Sequence, residues 1–224
     1  MNADETAERD EDLDLAALDP FTPPEHQRLG GSGRALAWWM TLGGAVGAGA
    51  SIELLVSEIH LVSDPQAQLG CDLNPLIGCS TSLLQWQSHL LFGLPNAAFG
   101  AALFGVLAGL GVALLAGARL ASWLWQLMSV AMVGAVGFVL WFLYQSMTAL
   151  GTLCPWCMVT WAVIIPAAFG IWAQAARGGH LPLPRAVVRT LYLERWLMGV
   201  ILVVAILLAI VFGFWSKWLL VLGV

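Results

Sequence analysis

The sequence predicts an all-α membrane protein: a four-helix transmembrane bundle, a fifth transmembrane helix, and a short amphipathic half-helix in an outer loop. Three observations carry that prediction. Of 224 residues, 59% are hydrophobic and 10% charged, against the roughly 25% charged of an ordinary soluble domain. Five apolar stretches, about residues 36–57, 97–117, 121–147, 157–176 and 197–221, match the ~20 residues a helix needs to cross the hydrocarbon core. The basic residues segregate to alternate connections between those stretches, as the positive-inside rule requires.

Residues 1–33 form an acidic leader. Nine of the chain's fourteen acids lie in its first 25 residues, so the net charge of −5 belongs to this segment. Low hydrophobicity with high charge predicts disorder, and the leader is expected to be a solvated cytoplasmic tail. The bundle follows over residues 34–178. Arg28 and Arg34 precede its first span, Arg119 lies between the second and third, and Arg177, Arg185, Arg189 and Arg195 separate the fourth from the fifth. Residues 58–96 and 148–156 contain no Lys or Arg. The N-terminus is therefore expected in the cytoplasm and those two loops outside. "VGAGAS" (Val46–Ser51) resembles a small-residue cleavage site. Apolar character resumes at Ile52, so an uncleaved first span is expected.

Between the first two spans runs an outer loop of about 40 residues with Cys71, Cys79 and the breakers Gly70, Pro75 and Gly78. After Cys79, Ser82 and Gln85 fit a capping box. Leu83, Leu84, Trp86, Leu90 and Leu91 share one helical arc, with Gln85, Ser88 and His89 opposite, so a short amphipathic helix is expected to lid the bundle. The second and third spans are joined by a very short turn and should form a hairpin. Cys154 and Cys157 stand at the start of the fourth span, at membrane level. A basic cytoplasmic loop, 179–195, leads to the fifth transmembrane helix, 196–224, whose Lys217 is the lone basic residue on the outer half.

All four cysteines thus fall on one side, outside, and none lies mid-span. An even count in an oxidising compartment predicts two disulfides or a redox relay. No metal is expected: the seven residues between Cys71 and Cys79 exceed the usual ligand gap, and no His completes a set. Static disulfides are the plainer alternative. A C-x-x-C bridge, however, closes a tiny loop and removes little chain entropy. With Cys154 as N-cap and Pro155 at the first helical position, unpaired backbone N–H groups face the thiols and favour the nucleophilic thiolate. A membrane-level pair beside a mobile aqueous pair makes a two-station electron relay. Asp72, Glu53, His60 and His89 are expected to be solvated or interfacial. Nothing in the chain suits nucleic acid.

The chain resembles the vitamin K epoxide reductase family in its bacterial disulfide-forming branch. "CDLNPLIGCS" (Cys71–Ser80), "FGLPNAAFG" (Phe92–Gly100) and "CPWCMVTW" (Cys154–Trp161) occur in that order on these spans, within a resemblance over about residues 36–176. The resemblance implies a four-helix bundle around a quinone, menaquinone being expected ahead of ubiquinone. It implies that Cys154 and Cys157 are the active-site pair, Cys157 beside the quinone and Cys154 exchanging with the loop. Cys71 and Cys79 become the shuttle, Cys71 meeting the partner and Cys79 passing to Cys154. Asn96 aligns with a donor to the quinone carbonyl, and Trp161 falls where the family often carries Tyr as a second donor. The implied partner is an extracytoplasmic thioredoxin-fold, DsbA-like protein, expected in trans because the family's fused outer domain does not follow the fifth span here.

The implied activity is quinone-dependent disulfide generation in the cell membrane. An epoxide reductase proper, or a structural or transport protein with inert disulfides, are the alternatives. The unrelated disulfide bond formation protein B carries its two cysteine pairs in the opposite order.

Overall fold

The computed structural model describes residues 22–222 apart from positions 75 and 91, and the side chains of 220–222. Five of its helices are long and apolar enough to cross a membrane. In chain order they are α2 (Arg34–Ser63), α4 (Asn96–Leu115), α5 (Ser122–Gln145, continued by a π-helical turn Ser146–Leu150), α6 (Pro155–Arg177) and α8 (Arg195–Gly213). The short α1 (Glu25–Arg28), α3 (Ser80–Leu83), α7 (Arg185–Leu193) and α9 (Trp215–Leu222), with a 3-10 turn at Trp86–Ser88, complete the element order.

Small residues let the first two spans approach backbone to backbone. A Cβ on Gly44 would fall 2.6 Å from the Ala108 nitrogen, and one on Gly111 would fall 2.5 Å from that of Thr41. Without a hydrophobic driving force between helices in lipid, such contacts supply the packing energy. On α2's other flank Gly43 abuts Val163 of α6, and Trp39 donates to the Val163 carbonyl at 3.4 Å. Between α5 and α6, Trp172 donates to Ser129 O at 2.9 Å. A cluster of Met40, Phe104, Leu107, Trp125 and Ile171 fills the end of the bundle away from the cysteines.

α2 is longer than expected. Its thirty residues span about 45 Å at 1.5 Å per residue, more than a bilayer core. The surplus stands above the cysteine end, where Leu54 and Leu61 pack against Cys71, Cys79 and Cys154. The first span is therefore also the buttress of the outer loop.

Three expectations need correction. Residues 22–33 are not a disordered tail: Gly30 O accepts from the indole of Trp125 at 3.0 Å and from Leu120 N at 2.9 Å, and Gln174 donates to Gly31 O at 3.1 Å. Carbonyls of a polar segment satisfy buried side-chain donors that the spans cannot satisfy themselves. Residues 1–21 lie outside the described residues. The half-helix is only one α-helical turn plus the 3-10 turn, and its N-cap is Cys79, not Ser82. The Ser82 hydroxyl instead bonds back to Cys79 O at 3.0 Å, while Gln85 is extended. Its faces differ too. Ser82, Leu83 and Gln87 are buried, whereas Leu84, Trp86 and Leu90 point outward; Leu91 lies outside the described residues. The fifth span breaks at Phe214. Gly213 weakens the helix, and Phe214 turns into the core at 2% exposure before α9 begins.

α8 packs on α6, so that Ile206, Ile210 and Phe214 close a second core cluster with Val139, Phe142, Trp161, Ile165, Leu76 and Leu153. The fifth span thereby covers the flank of the C-x-x-C helix.

Candidate functional site

The site is built at the N-terminus of α6. Cys154 is its N-cap in extended conformation, Pro155 occupies the first helical position, and the Cys154 sulfur accepts from the Cys157 N–H at 3.4 Å. A hydrogen bond from the Cys157 thiol, helped by the N–H groups of Cys157 and Trp156, lowers the Cys154 pKa below the ordinary thiol value. Burial and the Asp72 carboxylate push the other way and lose. Its thiolate is therefore populated more readily than an ordinary thiol's.

The outer loop is folded against this helix start by backbone and carboxylate contacts. Asn74 Oδ1 accepts from Leu76 N and Ile77 N, each at 2.9 Å, which turns the chain. Ile77 and Leu153 then pair as a parallel bridge. Leu153 N donates to Leu76 O at 2.8 Å and Gly78 N to Leu153 O at 3.0 Å. Asp72 Oδ1 accepts from Cys79 N at 2.8 Å and Ser80 N at 3.1 Å, satisfying N–H groups at the start of α3. Leu76, fully buried, plugs the loop into the second cluster.

These contacts gather the sulfurs. Cys71 and Cys79 form a disulfide, while Cys154 and Cys157 are thiols. The Cys154 sulfur lies 3.9 Å from that of Cys79. Cys71, Cys79 and Cys154 share one buried cluster, on which Cys157 and Trp156 border. The loop pair, expected to be mobile, is here docked, with Cys79 fully buried. The approach of the Cys79 and Cys154 sulfurs is therefore shielded from water.

Asn96 opens α4, and its side chain ties the lid: Nδ2 donates to Gln87 O at 2.7 Å, and Oδ1 accepts from Leu90 N at 3.2 Å. Trp161, 6% exposed, sits in the neighbouring cluster under α8. Cys157 borders both clusters, so the structure brings the four cysteines together, with Trp161 in the second cluster; Asn96 is tied to the lid segment and belongs to neither.

Two further residues contribute. Asp72 is exposed, as expected of a solvated loop acid, and its carboxylate also holds the Cys79 and Ser80 N–H groups. Glu53 is exposed. Glu58 is buried, and its carboxylate meets His89 Nε2 at 2.8 Å, while His89 Nδ1 lies 3.2 Å from Gln85 O. Both ring nitrogens of His89 thus face an oxygen, which ties the lid segment to α2. The signal was available: Glu58 falls on the Leu54–Leu61 stripe at helical spacing. Among the described residues no group of three or more His, Cys, Asp or Glu side chains is placed to hold a metal ion.

The profile of the vitamin K epoxide reductase family matches residues 38–172, more than half of the chain. No curated protein and no solved structure matches the chain. The match takes in four of the five spans, the docked loop and every cysteine, and it ends before the fifth span; the chain belongs to the vitamin K epoxide reductase family.

Proposed function

We propose that this membrane thiol–disulfide oxidoreductase reoxidises an extracytoplasmic thioredoxin-fold, DsbA-like thiol oxidase acting in trans and passes the electron pair to a membrane quinone. The observation that carries the reading is the 3.9 Å approach of the Cys79 and Cys154 sulfurs, with one pair bonded and the other reduced. Two inert bridges would not bring the two pairs into contact.

In this reading the loop opens and the partner's dithiol reduces the Cys71–Cys79 disulfide, leaving the partner oxidised. The loop docks again, and the Cys79 thiolate attacks Cys154 of an oxidised Cys154–Cys157 pair, releasing Cys157 as thiolate. Cys71 then attacks Cys79, reforming the loop disulfide and leaving Cys154 and Cys157 reduced. The arrangement of bonded and free sulfurs in the structure corresponds to that last state. A quinone, when bound, supplies the acceptor for two electrons and two protons, after which Cys154 and Cys157 are again a disulfide. Thiol exchange runs toward the acceptor of higher potential, each ~30 mV adding about 1.4 kcal/mol.

The residues suit such a ligand. The surroundings of Cys157 are apolar, Asn96 keeps a second amide hydrogen, and Gln87 Oε1 is buried without a partner. A donor on Asn96 and an unpartnered acceptor on Gln87, joined by one hydrogen bond, are the chemistry a quinone carbonyl that becomes a hydroxyl would use. Asn96 and Trp161 would hold the quinone through their N–H groups, with Cys157 as the residue adjoining it. Menaquinone is the quinone we favour, and the bias of basic residues to the opposite connections supports an outer position for the cysteine end.

The test is turnover in proteoliposomes with a reduced thioredoxin-fold thiol oxidase and a quinone. The wild-type chain should reduce quinone at the rate it oxidises the partner, and Cys157→Ala should abolish quinone reduction. Undiminished turnover in that variant would refute the assignment.

A further inference from the structure

The fifth span lies outside the family match, yet its end touches the turn that presents the C-x-x-C pair. After α5 the π-helical turn closes at Gly151, whose N–H reaches Ser146 O at 2.9 Å and whose φ is +70°. The Gly151 carbonyl accepts a hydrogen bond from the Lys217 ammonium of α9. Glycine suits the position by its positive φ, and a Cβ there would lie 3.0 Å from the Lys217 nitrogen. Two further contacts seat the same end of the span: Gly213 lies against the Met147 side chain, and Phe214 is buried with Leu150 and Leu153.

We propose that Lys217 is a positioning residue for electron transfer between the two cysteine pairs, an inference that rests on the relay reading above. Its ammonium fixes the Gly151 peptide. Two residues on, Leu153 pairs with Ile77 through hydrogen bonds to Leu76 and Gly78; Cys154 directly follows Leu153, and Cys79 directly follows Gly78. A displaced Gly151 peptide therefore shifts one sulfur against the other, and an ångström of misplacement is worth up to about a hundredfold in rate.

The test uses the full chain in a Cys71→Ser background, where Cys79 can form a bridge to Cys154 but cannot resolve it. The reduced protein is mixed with menadione. Loss of menadione absorbance reports oxidation of the Cys154–Cys157 pair, and acid quench with peptide mapping reports the Cys79–Cys154 bridge. Lys217→Gln should leave menadione reduction unchanged and slow the bridge roughly ten- to a hundredfold. Lys217→Arg, which keeps a cationic donor, should restore it. Bridge formation at the parent rate in Lys217→Gln, equal slowing of both steps, or failure of Lys217→Arg to rescue each overturns the proposal. Absence of any bridge in the Cys71→Ser parent instead defeats the relay reading itself.

Discussion

At the scale of single residues the chemistry turns on one thiol made acidic and one carboxylate made structural. Cys154 lies below the ordinary thiol value chiefly because the Cys157 thiol donates to it. A lowered pKa populates the thiolate at lower pH, so the alkylation rate of Cys154 should reach its plateau at a lower pH than a free thiol does. Cys157→Ala removes the donor while burial remains, and the midpoint should then move upward; a midpoint unchanged or lowered by that substitution would contradict the cause assigned. Asp72 acts through geometry. A Cβ at Gly78 would meet Asp72 Oδ1 at 2.8 Å, the same oxygen that holds Cys79 N and Ser80 N. Gly78→Ala should therefore loosen the cap by about 1 kcal/mol and lower the docked-to-undocked ratio of the loop about fivefold. The accessibility of Cys79 to a small alkylating agent, after mild reduction, measures this directly.

At the scale of elements, close helix packing and a clasped lid position the site. Gly44→Ala would force a methyl group to 2.6 Å from the Ala108 backbone and should lower stability by about 1–3 kcal/mol. Gly49→Ala, on the same helix but facing open space, should be neutral or slightly stabilising. Thermal unfolding in detergent compares the two. Glu58 on α2 clasps His89 after the 3-10 turn, and Asn96 on α4 clasps Gln87 and Leu90. Glu58→Ala should accelerate amide hydrogen exchange across residues 85–90 while leaving the spans protected; unchanged lid exchange would remove Glu58 from this role. The spans themselves were legible because about twenty apolar residues in a row have few other uses. The lid was not. Ser82 and Gln85 do carry a capping-box spacing, but Asp72, ten residues upstream of Ser82 in the sequence, takes the N–H groups of Cys79 and Ser80 and starts the helix earlier. A long-range carboxylate outcompetes a local pattern, and no window on the sequence contains both. The break at Phe214 has a similar origin: periodicity runs on through it, and only the buried pocket formed by Leu150, Leu153 and Trp161 makes turning inward favourable.

At the scale of the whole molecule, four spans make a bundle with the cysteines gathered at one end, and the fifth seals the flank of α6. The ordered cysteine motifs made the gathering readable in advance, as did the spacing of Cys154 and Pro155 at a helix start. The degree of docking was not readable, because a loop of glycine, proline and asparagine looks mobile until Leu76 and Leu153 are seen to share a bridge and a core. The proposed sidedness rests on Arg119, Arg177, Arg185 and Arg189, which belong to the other connections. In intact cells, a reduced loop pair should react with a membrane-impermeant maleimide, and labelling that requires permeabilisation would invert the topology. The central claim is narrower than topology: Cys79 hands electrons to Cys154. The most direct measurement is made on the double variant Cys71→Ser, Cys157→Ser, expressed in membranes and mapped by mass spectrometry without reductant. The account predicts an intrachain Cys79–Cys154 disulfide as the dominant species; two free thiols, or bridges only between separate chains, would contradict it.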